Sequence, residues 1–186
     1  MHFIPWDHDE GFVHRVIAED KRHIHIRDDY AEYLEEHGLR KLRGTEEPGY
    51  HDGKMASISS IPLEHQIDNW IGSKAVEFIN RYSDTKPFFL WVGFAGPHDP
   101  YNPPREIVDQ LKDLVVPESI PATDESNAFR DSFIKSHLEG SAQTDFSEFT
   151  KETKDKIRRH YAGLINIIDQ QVGDIQKVLD TIPSNR

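Results

Sequence analysis

The clearest periodicity in the chain lies near its C-terminus. Ile157, Tyr161, Leu164, Ile165, Ile168, Val172, Ile175, Leu179 and Ile182 step by three and four residues. That spacing predicts a long helix with one apolar stripe, closed by Pro183. A second helix is predicted where Ile67, Trp70, Ile71, Ala75, Phe78, Ile79 and Tyr82 share a face, with Asp84 and Pro87 stopping it. A shorter one opens at Asp28-Asp29, turns Tyr30, Tyr33 and Leu34 to one side, and ends at Gly38. Pro103-Pro104 starts another through Ile107, Val108 and Leu111.

Two segments read as strands. His23-Ile24-His25-Ile26 alternates polar and apolar positions, the period of a half-buried strand. Phe88-Phe89-Leu90-Trp91-Val92-Gly93-Phe94 is continuously apolar between Pro87 and Gly96-Pro97, which predicts an interior parallel strand covered on both faces. Its cover would be the helix at 66–82 and the helix ending at 182. Residues 43–62 form an irregular loop punctuated by Gly44, Pro48, Gly49, Gly53 and Pro62, and 113–150 is polar with no element placed. Helix, buried strand and polar turn in that order predict an α/β fold, a mainly parallel sheet flanked by helices. Ligands in such folds gather at the C-terminal ends of strands.

Composition narrows the classes. At 186 residues the chain fits one domain or one lobe of a larger one. A net charge of −11 leaves no electrostatic footprint for nucleic acid or an anionic membrane surface. Hydrophobic residues are only 36%, yet ten Phe, six Tyr and three Trp argue against disorder. There is no cysteine, hence no disulfide framework and no thiol nucleophile. No apolar run has the length of a membrane span. The first residues show no signal peptide, so the compartment stays unassigned with the cytoplasm as default.

Of the eleven histidines, seven precede residue 52. His23 and His25 would face one side of a strand and could serve zinc, but a zinc site wants three or four protein ligands, and ordinary half-buried strand residues explain them as well. Gly96-Pro97-His98-Asp99-Pro100-Tyr101 is more informative. Two prolines fix the backbone around His-Asp at the end of the apolar run. A histidine held there can donate a proton or a hydrogen bond to an anion, or it can simply cap a proline-rich turn. Spacing alone leaves both open.

The residues 87–94, then Pro97-His98-Asp99-Pro100-Tyr101, then Pro103-Pro104, resemble the central strand and histidine loop of sulfatases, members of the alkaline-phosphatase-like superfamily. Three more segments agree in order. Met1-His2-Phe3 resembles the tail of the family's Gly-Lys-x-His motif. Residues 66–79 resemble the helix before the central strand. Residues 160–173 resemble the long helix before the family's Asp-His-Gly metal motif.

The resemblance implies that His2 contacts the nucleophile and the sulfate. It implies that His98 contacts the sulfate and helps protonate the leaving alcohol. Both are catalytic and substrate-binding candidates, and the two imidazoles would converge on one pocket. It further implies a formylglycine nucleophile and a divalent cation, with Ca2+ expected, in a full-length member. This chain departs from that pattern: Cys/Ser-x-Pro-x-Arg, the N-terminal acidic metal ligands and Asp-His-Gly are all missing. Gly53-Lys54-Met55 mimics Gly-Lys-x-His only superficially, since Ala56 stands where His is needed. No metal ligand is assigned, and the chain alone is expected to bind no cofactor.

Residues 1–186 therefore read as a partial sulfatase catalytic domain, an internal piece lacking the nucleophile segment and the C-terminal metal motif. The function implied is hydrolysis of small sulfate monoesters, with the isolated chain inactive. Phosphonate monoester or phosphodiester hydrolysis on the same scaffold is one alternative. A non-catalytic interaction module, self-associating through surfaces left exposed, is another. A metal-binding protein using the histidine-rich first third is the third.

Overall fold

The computed structural model describes residues 7, 11–83, 86–118, 120–121, 123–140, 143–145 and 149–182. Five helices are present among them: α1 (Asp29–Glu36), α2 (Ile67–Arg81), α3 (Arg105–Gln110), α4 (Asp124–Glu139) and α5 (Lys151–Leu179). The chain divides into two compact units. One takes Met1–Arg43, Leu63–Gly96 and Ile167–Arg186; the other takes Gly44–Pro62 and Pro97–Asn166.

In the first unit, α1 starts where the sequence predicts. Asp28 caps it, accepting the Ala31 amide at 2.8 Å. The same buried carboxylate accepts the Glu19 amide and pairs with the buried Lys41 ammonium. A buried ion pair holds only when its remaining valences are met, and here backbone donors meet them. Tyr30 and Leu34 face inward, and Tyr30 donates to the His65 carbonyl at 2.7 Å. Its ring lies 5.3 Å from that of Trp70 on α2. Gly38 leaves the helix at φ 71°, a left-handed turn that glycine makes without strain. Along α2, Ile67, Trp70, Ala75 and Ile79 are buried as the periodicity predicts. The stops predicted at Asp84 and Pro183 lie outside the described residues.

The parallel sheet is not there. Among the described residues no strand forms, and the one bridge is Ala56 with Tyr101. Residues 88–94 run without regular secondary structure, alternating half-buried and exposed positions. Phe89 is 75% and Trp91 68% exposed, so solvent reaches one face of the segment predicted to be covered on both. An uncharged run looks the same in sequence whether strands pair with it or not. Sheet membership depends on hydrogen-bonding partners remote in sequence, and no backbone hydrogen bond among the described residues ties 88–94 to another segment. The strand predicted at His23-Ile24-His25-Ile26 is also absent. Turns replace it, with His23 N donating to Asp20 O at 2.8 Å and Ile26 N to His23 O at 3.1 Å. Asp20 also accepts the Arg22 amide at 2.9 Å, local turn chemistry that overrides the alternation.

In the second unit, Tyr101 N donates to Met55 O at 2.8 Å and Ser57 N to Tyr101 O at 3.1 Å. These bonds lay the stretch after the His-Asp pair along residues 55–59. Pro104 precedes α3, in keeping with proline at a helix start. α4 was not predicted. It opens on a capping box between Thr123 and Ser126, but Phe129 and Phe133 are exposed, so it has no buried stripe to announce it. α5 begins at Lys151, and its inward positions match the predicted stripe only in part, at Leu164 and less fully at Ile157, Ile168 and Ile175. His160, Leu164, Ile167 and Gln171 are buried, whereas Tyr161, Ile165, Val172 and Leu179 are largely exposed. No helix among the described residues is long and apolar enough to cross a membrane.

Candidate functional site

Three buried groups shape the loop that carries His98. Glu47, 4% exposed, accepts the Ser60 amide at 3.0 Å, the Ser60 hydroxyl at 2.7 Å and the Asn102 amide group at 3.2 Å. His160, 4% exposed on α5, donates from Nδ1 to the Tyr101 carbonyl at 3.0 Å. Burial pushes the His160 imidazole below its ordinary pKa, and its contacts with the Tyr101 and Ser57 backbone oppose that only in part. It therefore stays a neutral fastener. Ala56 bridges Tyr101 from the other side. Just before it, Lys54 and Met55 take φ of 50° and 73°, values uncommon for residues with a Cβ. Burial and the Asp99 charge raise the Tyr101 phenol, keeping it protonated.

At the outer end of this loop the His98 ring meets the Asp99 carboxylate, Nδ1 to Oδ1 at 2.6 Å. The two side chains are 43% and 24% exposed. A carboxylate accepts only, so it holds the imidazole hydrogen at Nδ1 and leaves proton exchange with a ligand to Nε2. The Asp99–Pro100 peptide is cis. The pair thus has a carboxylate orienting an imidazole at a solvent-facing position, an arrangement suited to donating to an oxyanion or to a departing oxygen.

His2, and with it the expected convergence with His98, lies outside the described residues. His23 and His25 sit 5.8 Å apart by ring centroid in the turn region of the first unit, with His23 Nδ1 3.2 Å from Glu19. Among the described residues no three His, Cys, Asp or Glu side chains cluster as metal ligands, and the sequence has neither cysteine nor Ser-x-Pro-x-Arg.

The first unit holds a cleft of about 700 Å3, lined by Tyr33, Trp70, Lys74, Glu77, Phe78 and Arg81 among others. Within it Glu77 lies 2.8 Å from Lys74 and 2.6 Å from Arg81. Sequence reasoning missed Glu47 and His160. The one signal for His160 was its place at the head of the buried Leu164 and Ile167 row.

No family model matches the sequence. Curated proteins do. An arylsulfatase of Clostridium perfringens is 30% identical over 111 residues, 56% of this chain and 21% of that protein. An uncharacterized sulfatase of Schizosaccharomyces pombe is 21% identical over 137 residues, 65% of this chain and 25% of its own length. The iduronate 2-sulfatase of Mus musculus is 23% identical over 148 residues, 70% of this chain and 27% of its own. Each of these three relatives is a sulfatase by its name, and the chain is similar to it while spanning only about a fifth to a quarter of its length.

Proposed function

We propose that this chain supplies the ester-contacting histidine loop of a sulfatase-like hydrolase that acts on sulfate monoesters. The observation that carries the reading is the His98–Asp99 pair, oriented at 2.6 Å on a loop fastened by buried side chains. Sulfatase relatives give it its chemical direction. His98 as the imidazolium would donate from Nε2 to a sulfate oxygen or to the bridging ester oxygen, while Asp99 accepts the Nδ1 hydrogen and keeps the ring aimed. No covalent or metal-assisted step is assigned to the residues of this chain.

The test is a titration with 4-nitrophenyl sulfate, followed by NMR of the imidazole and backbone signals. Saturable shifts at His98, Asp99 and Tyr101, lost in His98→Ala, are expected. Equal or larger shifts with 4-nitrophenyl phosphate or a phosphonate monoester would move the substrate assignment to those esters. No shift at His98 with any of them would overturn the reading.

A second reading rests on residues 88–94. Exposed Phe89 and Trp91, and backbone groups without backbone partners among the described residues, suit self-association of the chain along this edge.

A further inference from the structure

His37 and His65 come from different elements and meet. His37 is the residue after α1, and His65 closes the short 3-10 turn Leu63–His65 ahead of α2. Their ring centroids are 4.8 Å apart with planes inclined by 52°. Tyr33 braces both. The His37 Nδ1 lies 2.7 Å from the Tyr33 carbonyl oxygen, and the His65 Nδ1 lies 2.7 Å from the Tyr33 hydroxyl. A carbonyl only accepts, so His37 carries its hydrogen on Nδ1 and its lone pair on Nε2. A phenol oxygen can accept in the same way from His65. The Tyr30 hydroxyl, bonded to the His65 carbonyl at 2.7 Å, anchors that residue from behind.

We propose that this tyrosine-braced pair is a binding site for a divalent transition-metal ion of the Zn2+ class, held through the two Nε2 atoms and completed by water. With Zn–N bonds of about 2.1 Å and an imidazole radius of about 1.1 Å, two ligands near the tetrahedral angle set their ring centroids about 5 Å apart. The pair has that spacing before any ion arrives. Its Nδ1 contacts match the outer-shell pattern of metal-bound histidine, in which the second ring nitrogen is tied to a carbonyl or another oxygen. No third side chain of the ligating types joins a cluster here among the described residues, so the pair supplies only two of the three or four protein ligands of a structural or catalytic zinc site, and the ion is held weakly with water in its remaining positions. His37 is exposed and His65 half-buried, which leaves a path in. Imidazole ligands favour Cu2+ and Zn2+ over Mn2+ and give no purchase to Ca2+. The site is therefore distinct in chemistry from the Ca2+ that the family resemblance implies, and it stands whether or not the sulfate-ester reading does.

The experiment is a ZnCl2 titration of the whole chain in physiological salt, read by calorimetry and by imidazole 15N shifts, with CaCl2 in parallel. Salt suppresses the diffuse cation attraction of a chain with net charge −11. One Zn2+ per chain, with the Nε2 signals of His37 and His65 moving together and no saturable heat from Ca2+, is expected. His37→Gln and His65→Gln should each abolish saturable binding, and Tyr33→Phe should weaken it by about tenfold. Circular dichroism shows whether each variant keeps its helices, and the wild-type shifts report the site without any variant. Zn2+ binding with full affinity in both histidine variants, or shifts confined to other histidines, would overturn the proposal.

Discussion

His160 on α5 donates from Nδ1 to the carbonyl oxygen of Tyr101 across 3.0 Å, joining positions 59 residues apart. This bond, together with the Ala56 bridge, keeps the loop after His98 from drifting. Replacing His160 with Ala removes one of the two donors to this carbonyl, leaving the Ser57 amide alone, and empties the buried space of the ring. The expected cost is about 1–3 kcal/mol, measured as a lower urea midpoint at unchanged slope.

The same imidazole makes stability depend on pH. Burial holds its folded pKa below the ordinary value, so the unfolded chain takes up this proton first as pH falls. Its contribution is complete above about pH 6.5 and is lost as pH drops from there toward the depressed folded value. Urea unfolding across that window should show stability falling with acid in the wild type. His160→Gln should remove this part of the slope, and an unchanged slope would count against a buried neutral His160.

Asp68 works in the opposite sense. Burial raises its pKa, while the amides of Gly96 and Ala95 and the charge of Lys21 pull it partly back. The folded state then binds this proton more readily, and the contribution is lost as pH rises from the ordinary carboxylate value, about 3.9, through the raised one. Asp68→Asn keeps an oxygen for the Gly96 amide, now 2.9 Å away, and removes the charge. At neutral pH the variant should be as stable as the parent or more so, with a higher Tm. A loss above about 1 kcal/mol would mean that the charge itself is needed.

Phe89, which stacks on Phe12 at 6.2 Å between centroids, and Trp91 present the exposed side of residues 88–94. If that edge drives self-association, sedimentation velocity over a concentration series should show a growing dimer. Trp91→Lys should suppress it, because a charge on an open edge opposes pairing. A monomer at all concentrations would end the self-association reading.

What could be read in advance was local. Asp28 as cap, Gly38 as stop and the apolar face of α2 each depend on neighbours within a turn or two, and all are present. The segment 88–94 depended on partners elsewhere in the chain, and its composition carries no information on whether they exist. α4 escaped because Phe129 and Phe133 do not share a buried face, although the Thr123 and Ser126 cap was there to see. The His98 loop was legible through its flanking prolines. Glu47 and His160 were not, since their roles arise only when Asn102 and Tyr101 are brought to them from 55 and 59 residues away.

The reading proposed for this chain is a sulfatase-like histidine loop in a sequence with no Cys/Ser-x-Pro-x-Arg and, among the described residues, no cluster of three metal-ligating side chains. Release of 4-nitrophenolate from 4-nitrophenyl sulfate, in the presence of Ca2+ or Mn2+, tests it most directly. No rate above the uncatalysed background is expected, because covalent catalysis needs an activated nucleophile. Metal-dependent turnover by the purified chain, abolished in His98→Ala, would contradict it.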